Sequence, residues 1–266
     1  MFPILIIVPT LNSYNKLPRL VNSLVNQTFM NWRVLFIDGQ SHPHHREWLE
    51  MQCHKDHRFQ WRSETGSNGG IFAAMNDGLN YANPDDWILF WGSDDLAANN
   101  NVFSCLNKSL RILNEMSRLP HLYVCSGSYF SEPPPQSSTP ADLTQTRLSS
   151  FIWRRSFNSS LFWGSTPPHQ ATLFSPVVWN KLRIFDETYQ ITSDLDFFLR
   201  LSTHPEVTVF IDNLILVLMG NSGVSAQKNK QRITEVIRSY RSAFGLLWIF
   251  PFFMRYAHRI RSLVHL

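Results

Sequence analysis

The chain has 266 residues, enough for one large domain with small appendages. Apolar types make up 44% of it and charged types 17%, which excludes a chain disordered throughout, and a net charge of +4 does not by itself argue for nucleic acid. Cys53, Cys105 and Cys125 are too few and too scattered for a disulfide framework or a zinc ribbon, so free thiols in a reducing, cytoplasmic setting are expected.

In chain order, Ile4 to Val8 is a buried strand by its β-branched content. The opening MFPILIIVPTL has no basic n-region and its apolar run stops at Pro9, so it does not read as a signal peptide. Asn12 and Ser13 offer helix caps ahead of Leu17, Leu20, Val21, Leu24 and Val25, which fall on one helical face. Arg33 to Ile37 is a second strand, ending in Asp38-Gly39. The histidines that follow, His42, His44 and His45, read as a solvent-facing loop in preference to a transition-metal site. Glu64 follows a short strand, and Ile71 to Tyr81 is helical. Trp87 to Trp91 is a strand ending in Gly92-Ser93-Asp94-Asp95, with a helix from Val102 and a strand over Leu122 to Cys125 behind it. Strands alternating with helices predict βαβ units and a parallel, doubly wound sheet.

The second half differs. Ser131 to Ser150 is rich in Pro, Ser, Thr and Gln and reads as a long loop. Ser175-Pro176 opens a helix to about Leu182, and Ser193 can cap another that carries Leu195, Phe198, Leu199 and Leu201. A last helical region starts near Gln231. From Val236 onward there is no Asp or Glu, while five arginines sit among bulky aromatics. That composition suits either an interfacial membrane segment or a helix packed on the core with a basic outer face. No stretch approaches the ~20 apolar residues of a membrane span.

Ligands of an open parallel sheet bind beyond the carboxyl ends of its strands. Asp38, Asp94 and Asp95 fall there. A lone carboxylate at a strand end is as readily a turn cap, but the adjacent pair repel each other and need a cation. Their hard oxygens suit Mg²⁺ or Mn²⁺ shared with substrate phosphates.

These residues carry a resemblance. Ile7-Val8-Pro9-Thr10-Leu11-Asn12, Val34 to Ser41, Ser63-Glu64, Gly70 to Gly78, Gly92-Ser93-Asp94-Asp95, Pro168-His169-Gln170 and Thr192 to Leu201 follow in order. Over residues 3 to 225 the chain resembles family 2 glycosyltransferases of bacterial polysaccharide type. The resemblance implies an α/β, GT-A (Rossmann-like), mostly parallel sheet flanked by helices, with a C-terminal helical extension. It divides the chain into a glycosyltransferase domain over 1–230, with a nucleotide-binding half to about 127 and an acceptor half from about 128, and a basic, aromatic segment over 231–266.

The implied activity is inverting transfer of a sugar from a nucleotide diphosphate (a UDP- or GDP-sugar) to an acceptor hydroxyl on a glycan or lipid-linked acceptor. It would serve cell-surface polysaccharide or glycolipid synthesis on the inner face of the membrane, with no nucleic-acid partner. By the same resemblance Asp38 would meet the base, Asp94 the ribose or sugar, Asp95 the divalent cation, and Asp194 would be the catalytic base. Pro9, Thr10, Asn12 and Glu64 would face the nucleotide, and His169 and Gln170 the acceptor. The plain alternatives are turn and cap duty for Thr10 and Asn12, a structural role for His169, and first-turn acids for Asp194 and Asp196. Arg154 and Arg155 are either phosphate partners or a solvated pair. Relatives commonly carry acids where Gly92 and Ala73 stand here. A nucleotidyltransferase would need a Gly-rich basic loop after the first strand, and Pro9 to Ser13 is not one. No G-x-G-x-x-G follows that strand, which argues against a dehydrogenase. An inactive sugar-binding module of the same fold would not need all four aspartates.

Overall fold

A computed structural model describes residues 1–65, 69–131, 144–181, 185–220 and 229–264. Strands β1 (Ile4–Thr10), β2 (Trp32–Asp38), β3 (Phe59–Ser63) and β4 (Trp87–Phe90) run parallel in the order β3-β2-β1-β4. The sheet continues through β8 (Thr172–Phe174), β6 (Leu122–Ser131), β9 (Val209–Gly220) and the short β5 (Leu96–Ala97). β8 is antiparallel to both neighbours, and β5 is antiparallel to β9.

Both faces of the sheet are covered, which is why β1 is apolar throughout and does not alternate. Ile4, Ile6 and Val8 pack with α1 (Leu17–Val25) and α4 (Val102–Glu115). Leu5 and Ile7 pack with α3 (Ile71–Leu79), α5 (Phe157–Phe162), α6 (Pro176–Lys181) and α7 (Ser193–Leu201).

Several elements depart from the sequence reading. The histidine-bearing stretch is not a loop: α2 (Pro43–Lys55) starts at the proline, and His45 is buried. Only His45 and Leu49 of that helix are fully buried, so its sequence shows no apolar stripe. Thr144–Ser149, expected within a long loop, is strand β7, antiparallel to β6. It is polar apart from Leu148, which is exposed, and this hides it from a hydrophobic pattern; the rest of that stretch, 132–143, lies outside the described residues. β9 and β5 escaped the sequence reading altogether. Asn12 and Ser13 do not cap α1, whose N-cap is Lys16. They tie loops together instead, as described below.

The C-terminal segment meets the core through its first helix. Helix α8 (Asn229–Phe244) buries Val236 and Tyr240 in the same core as Leu195 and Phe198. A 3₁₀ turn (Gly245–Trp248) then leads into α9 (Ile249–Val264). An added Cβ at Gly164 would lie 2.3 Å from the Arg255 backbone nitrogen, so α9 sits directly on that glycine. Among the described residues no helix is long and apolar enough to cross a membrane.

Candidate active site

Parallel pairing brings Thr10, Asp38 and Ser63 to one rim, since Thr10 registers with Asp38 and Asp38 with Ser63. The rim is laced by backbone bonds: Gly39 N–H donates to the Thr10 carbonyl (2.9 Å) and Glu64 N–H to the Asp38 carbonyl (2.9 Å). Asp38 is fully buried. Its carboxylate accepts from Ser41 N–H (3.1 Å) and Arg46 Nε (2.8 Å), and His45 Nε2 lies 3.7 Å away. Burial lowers the His45 pKa, with Asp38 opposing. His45 and Arg46 follow no local sequence pattern, because they come from the first turn of the unrecognised α2.

Asn12 adopts a left-handed φ of 50°. Its Oδ1 accepts from His42 N–H (2.9 Å) and its own N–H donates to Ser41 Oγ (2.8 Å). Ser13 Oγ donates to Ser93 Oγ, which in turn donates to the Pro9 carbonyl (2.9 and 3.0 Å). The loops after β1, β2 and β4 therefore form one hydrogen-bonded floor. Glu64 lies over the Asp38-Gly39 turn, its Oε2 3.4 Å from an added Cβ on Gly39. Burial raises the Glu64 pKa, helped by Asp77, Glu187 and Asp38.

At the end of β4, Asp95 is buried and accepts the Gly92 N–H at 2.6 Å. Burial first, and then Asp94, push its pKa well above the usual carboxylate range. Asp94 faces Lys16 Nζ at 3.3 Å. A Cβ on Gly220, the last residue of β9, would stand 2.6 Å from Asp94 Oδ2. One on Gly92 would stand 3.1 Å from Asp94 and 3.3 Å from Asp95. The site thus keeps glycines on both sides of its acidic pair.

His169 and Gln170 occupy a 3₁₀ turn (His169–Ala171) ahead of β8. The Gln170 carbonyl accepts from Trp91 Nε1 (2.9 Å), one residue before Gly92. The His169 ring stacks on Phe90, with centroids 5.6 Å apart. Burial lowers its pKa, and the negative charge of Asp194 works against that shift. Asp194 lies in the first turn of α7. The His169 turn is therefore bonded to the strand end that leads into the acidic pair, and its ring feels the charge of Asp194 on α7. Asp196, two residues on, is paired with Arg200 (2.8 Å). The Arg154 guanidinium lies over the Trp163 ring, 5.3 Å from its centroid.

Comparison with solved structures shows that the fold is GT-A. The fold matches S. aureus TarS 1–349 in complex with UDP-GlcNAc (TM-score 0.65, 17% identity, 99% of this chain and 71% of that one). It also matches the mannosyltransferase PcManGT from Pyrobaculum calidifontis in complex with GDP-Man and Mn²⁺ (TM-score 0.64, 12% identity, 99% and 72%). The chain spans 39% of a longer TarS structure. In sequence, it is 24% identical over 202 residues to a PGL/p-HBAD biosynthesis glycosyltransferase of Mycobacterium bovis (strain BCG / Pasteur 1173P2), covering 75% of this chain and 70% of that protein. Residues 5–166 match glycosyl transferase family 2, and the chain belongs to that family. It is a glycosyltransferase.

Proposed function

We propose that the enzyme transfers a sugar, with inversion, from a UDP- or GDP-sugar to a hydroxyl of a glycan or lipid-linked acceptor, in cell-surface polysaccharide or glycolipid synthesis. The observation that carries this reading is the link from Asp95 through the Trp91–Gln170 bond and the His169 turn to Asp194. It supports a site in which the acidic pair and a separate carboxylate share one turn.

The acidic pair fits Mg²⁺ or Mn²⁺. Asp95 is buried beside a like charge, so a cation favours its ionised form. Among the described residues no group of three or more His, Cys, Asp or Glu is arranged to hold a metal. The ion would thus take Asp95, aided by Asp94, and complete its shell from water and phosphate oxygens. When bound, it neutralises charge that grows on the departing diphosphate.

The chain's own groups supply the rest. Asp194 takes the acceptor hydroxyl proton while that oxygen bonds to the anomeric carbon. The bond from that carbon to the diphosphate oxygen breaks, and its electron pair leaves with the nucleoside diphosphate. A single displacement from the opposite face inverts the centre. Asp38 receives the base by exchanging its bond from Arg46, whose side chain is 36% exposed. Pro9, Thr10, Asn12 and Glu64 wall the nucleotide, Asp94 the ribose or sugar, and His169 and Gln170 the acceptor. Asp194→Asn is expected to lower turnover about 10³-fold with the donor dissociation constant within about twofold. Retained turnover would remove the base assignment.

The C-terminal segment fits an anionic membrane surface. Leu246, Leu247 and Phe253 are 95%, 64% and 66% exposed, and Trp163 and Phe250, also exposed, meet edge to face beside them. The acid-free stretch from Val236 carries Arg238, Arg241, Arg255, Arg259 and Arg261. Arg255 bonds Thr166 Oγ1, three residues before His169, so a docked segment would hold the acceptor side near the bilayer. Flotation with anionic vesicles tests this: Leu246→Glu with Leu247→Glu should abolish it, and undiminished flotation would discard the role.

A further inference from the structure

Helix α7 begins at Thr192 without a side-chain cap of its own. Its start is nonetheless occupied by a carboxylate. Glu235, on α8 and 7% exposed, accepts Gln190 N–H at Oε1 (3.0 Å) and both Ile191 and Thr192 N–H at Oε2 (2.9 and 3.0 Å). The Thr192 hydroxyl adds a longer bond (3.4 Å), and Gln231 Nε2 steadies Oε1 (3.1 Å). Successive N–H groups converging on one point form an anion-binding nest, and here the anion comes from 43 residues further along the chain. Charge-assisted bonds of this kind are the strong ones, and burial strengthens them further.

We infer that Glu235 is a positioning residue for the transfer reaction, acting through Asp194. The inference rests on the reading of Asp194 as the base. Asp194 follows Thr192 by two residues, so the angle at which α7 starts decides where its carboxylate points. Ser193 Oγ donates to the Asp186 carbonyl (2.9 Å), a second tie on the same turn. Val236, next to Glu235, and Tyr240, five residues after Glu235, are buried and keep α8 against α7. The C-terminal segment therefore completes the catalytic half of the site: without α8 the nest before Asp194 is empty.

The test is a double-mutant cycle in the full chain. Glu235→Ala is expected to lower kcat about 10²-fold, the scale of a misplacement near 1 Å, with the donor KM within about twofold. Glu235→Gln, which keeps one acceptor oxygen, should recover part of that loss, and it carries the same cycle if the alanine variant fails to fold. In an Asp194→Asn background, removing Glu235 should change the slow residual rate by less than about twofold. Equal proportional losses in both backgrounds would overturn the positioning role while leaving the base assignment intact. A full-rate Asp194→Asn would defeat the base assignment itself, and the role of Glu235 with it.

Discussion

The Gly92 N–H donates to the Asp95 carboxylate at 2.6 Å, closing the turn that ends β4 around a buried acid. That turn ties stability to pH and, through the proposed cation site, to metal. The folded Asp95 holds its proton well above the usual carboxylate range. Between the ordinary pKa of about 4 and the raised value, the folded state binds more protons than the unfolded one, so this group's stabilisation is lost as pH rises through that window. A cation bound as proposed would reverse the loss. The melting-temperature gain from Mn²⁺ should therefore be larger at pH 7.5 than at pH 5. Asp95→Asn, which keeps an acceptor for Gly92, should match or exceed the wild type without metal and show no metal response. Differential scanning fluorimetry across pH decides it, and an equal gain at both pH values would refute the coupling.

Gly220 is held to glycine by contact with the acidic pair. Gly220→Ala places a methyl 2.6 Å from Asp94 Oδ2 and must push that side chain aside. The expected outcome is a donor KM raised about tenfold, equivalent to ~1.4 kcal/mol, with the melting temperature little changed. Steady-state kinetics at saturating acceptor reads it directly.

Two buried histidines and one half-buried one set an acid limit. His45, His121 and His169 all have lowered pKa values, chiefly through burial. The unfolded chain takes up those protons first, near pH 6.5, so stability falls as pH drops from there towards the folded values. Urea midpoints should decline between pH 7 and pH 5. His169→Phe, which keeps the stacking on Phe90, should shallow that slope; an unchanged slope would assign the effect to the other two.

Tyr240 tests how firmly the C-terminal segment belongs to the core. It is fully buried, and its hydroxyl has no hydrogen-bond partner among the described residues. Tyr240→Ala should cost ~3–5 kcal/mol, as for other large aromatic truncations. Tyr240→Phe should be neutral or stabilising by about 1 kcal/mol, because it removes an unpaired buried group. A truncation at Arg232 would strip out the same contacts, so membrane binding is better tested on the exposed residues beyond Phe244. Chemical denaturation of the two variants gives the measurement.

The apolar runs of β1, β2 and β4 were legible because strands buried on both faces cannot hide their composition. Their acidic ends, Asp38 and Asp94-Asp95, were legible for the same reason: a carboxylate directly after such a run stands out. α2 was not, because it buries little more than His45 and Leu49 and so writes no stripe. β7 was not, because it is polar apart from the exposed Leu148 and so writes no hydrophobic pattern, even though its partner β6 is the strand just before it.

By itself the sequence determined that the protein is a mostly parallel α/β chain with acids at its strand ends, since periodicity and strand-end chemistry are local properties. Only the tertiary structure decided what those acids meet. Arg46 reaches Asp38, Gly220 gives Asp94 its room, and Glu235 fills the nest before Asp194 from a helix 43 residues downstream. Each is a long-range or loop-dependent contact made by a single side chain, and such contacts follow from how layers pack and not from any repeat along the chain.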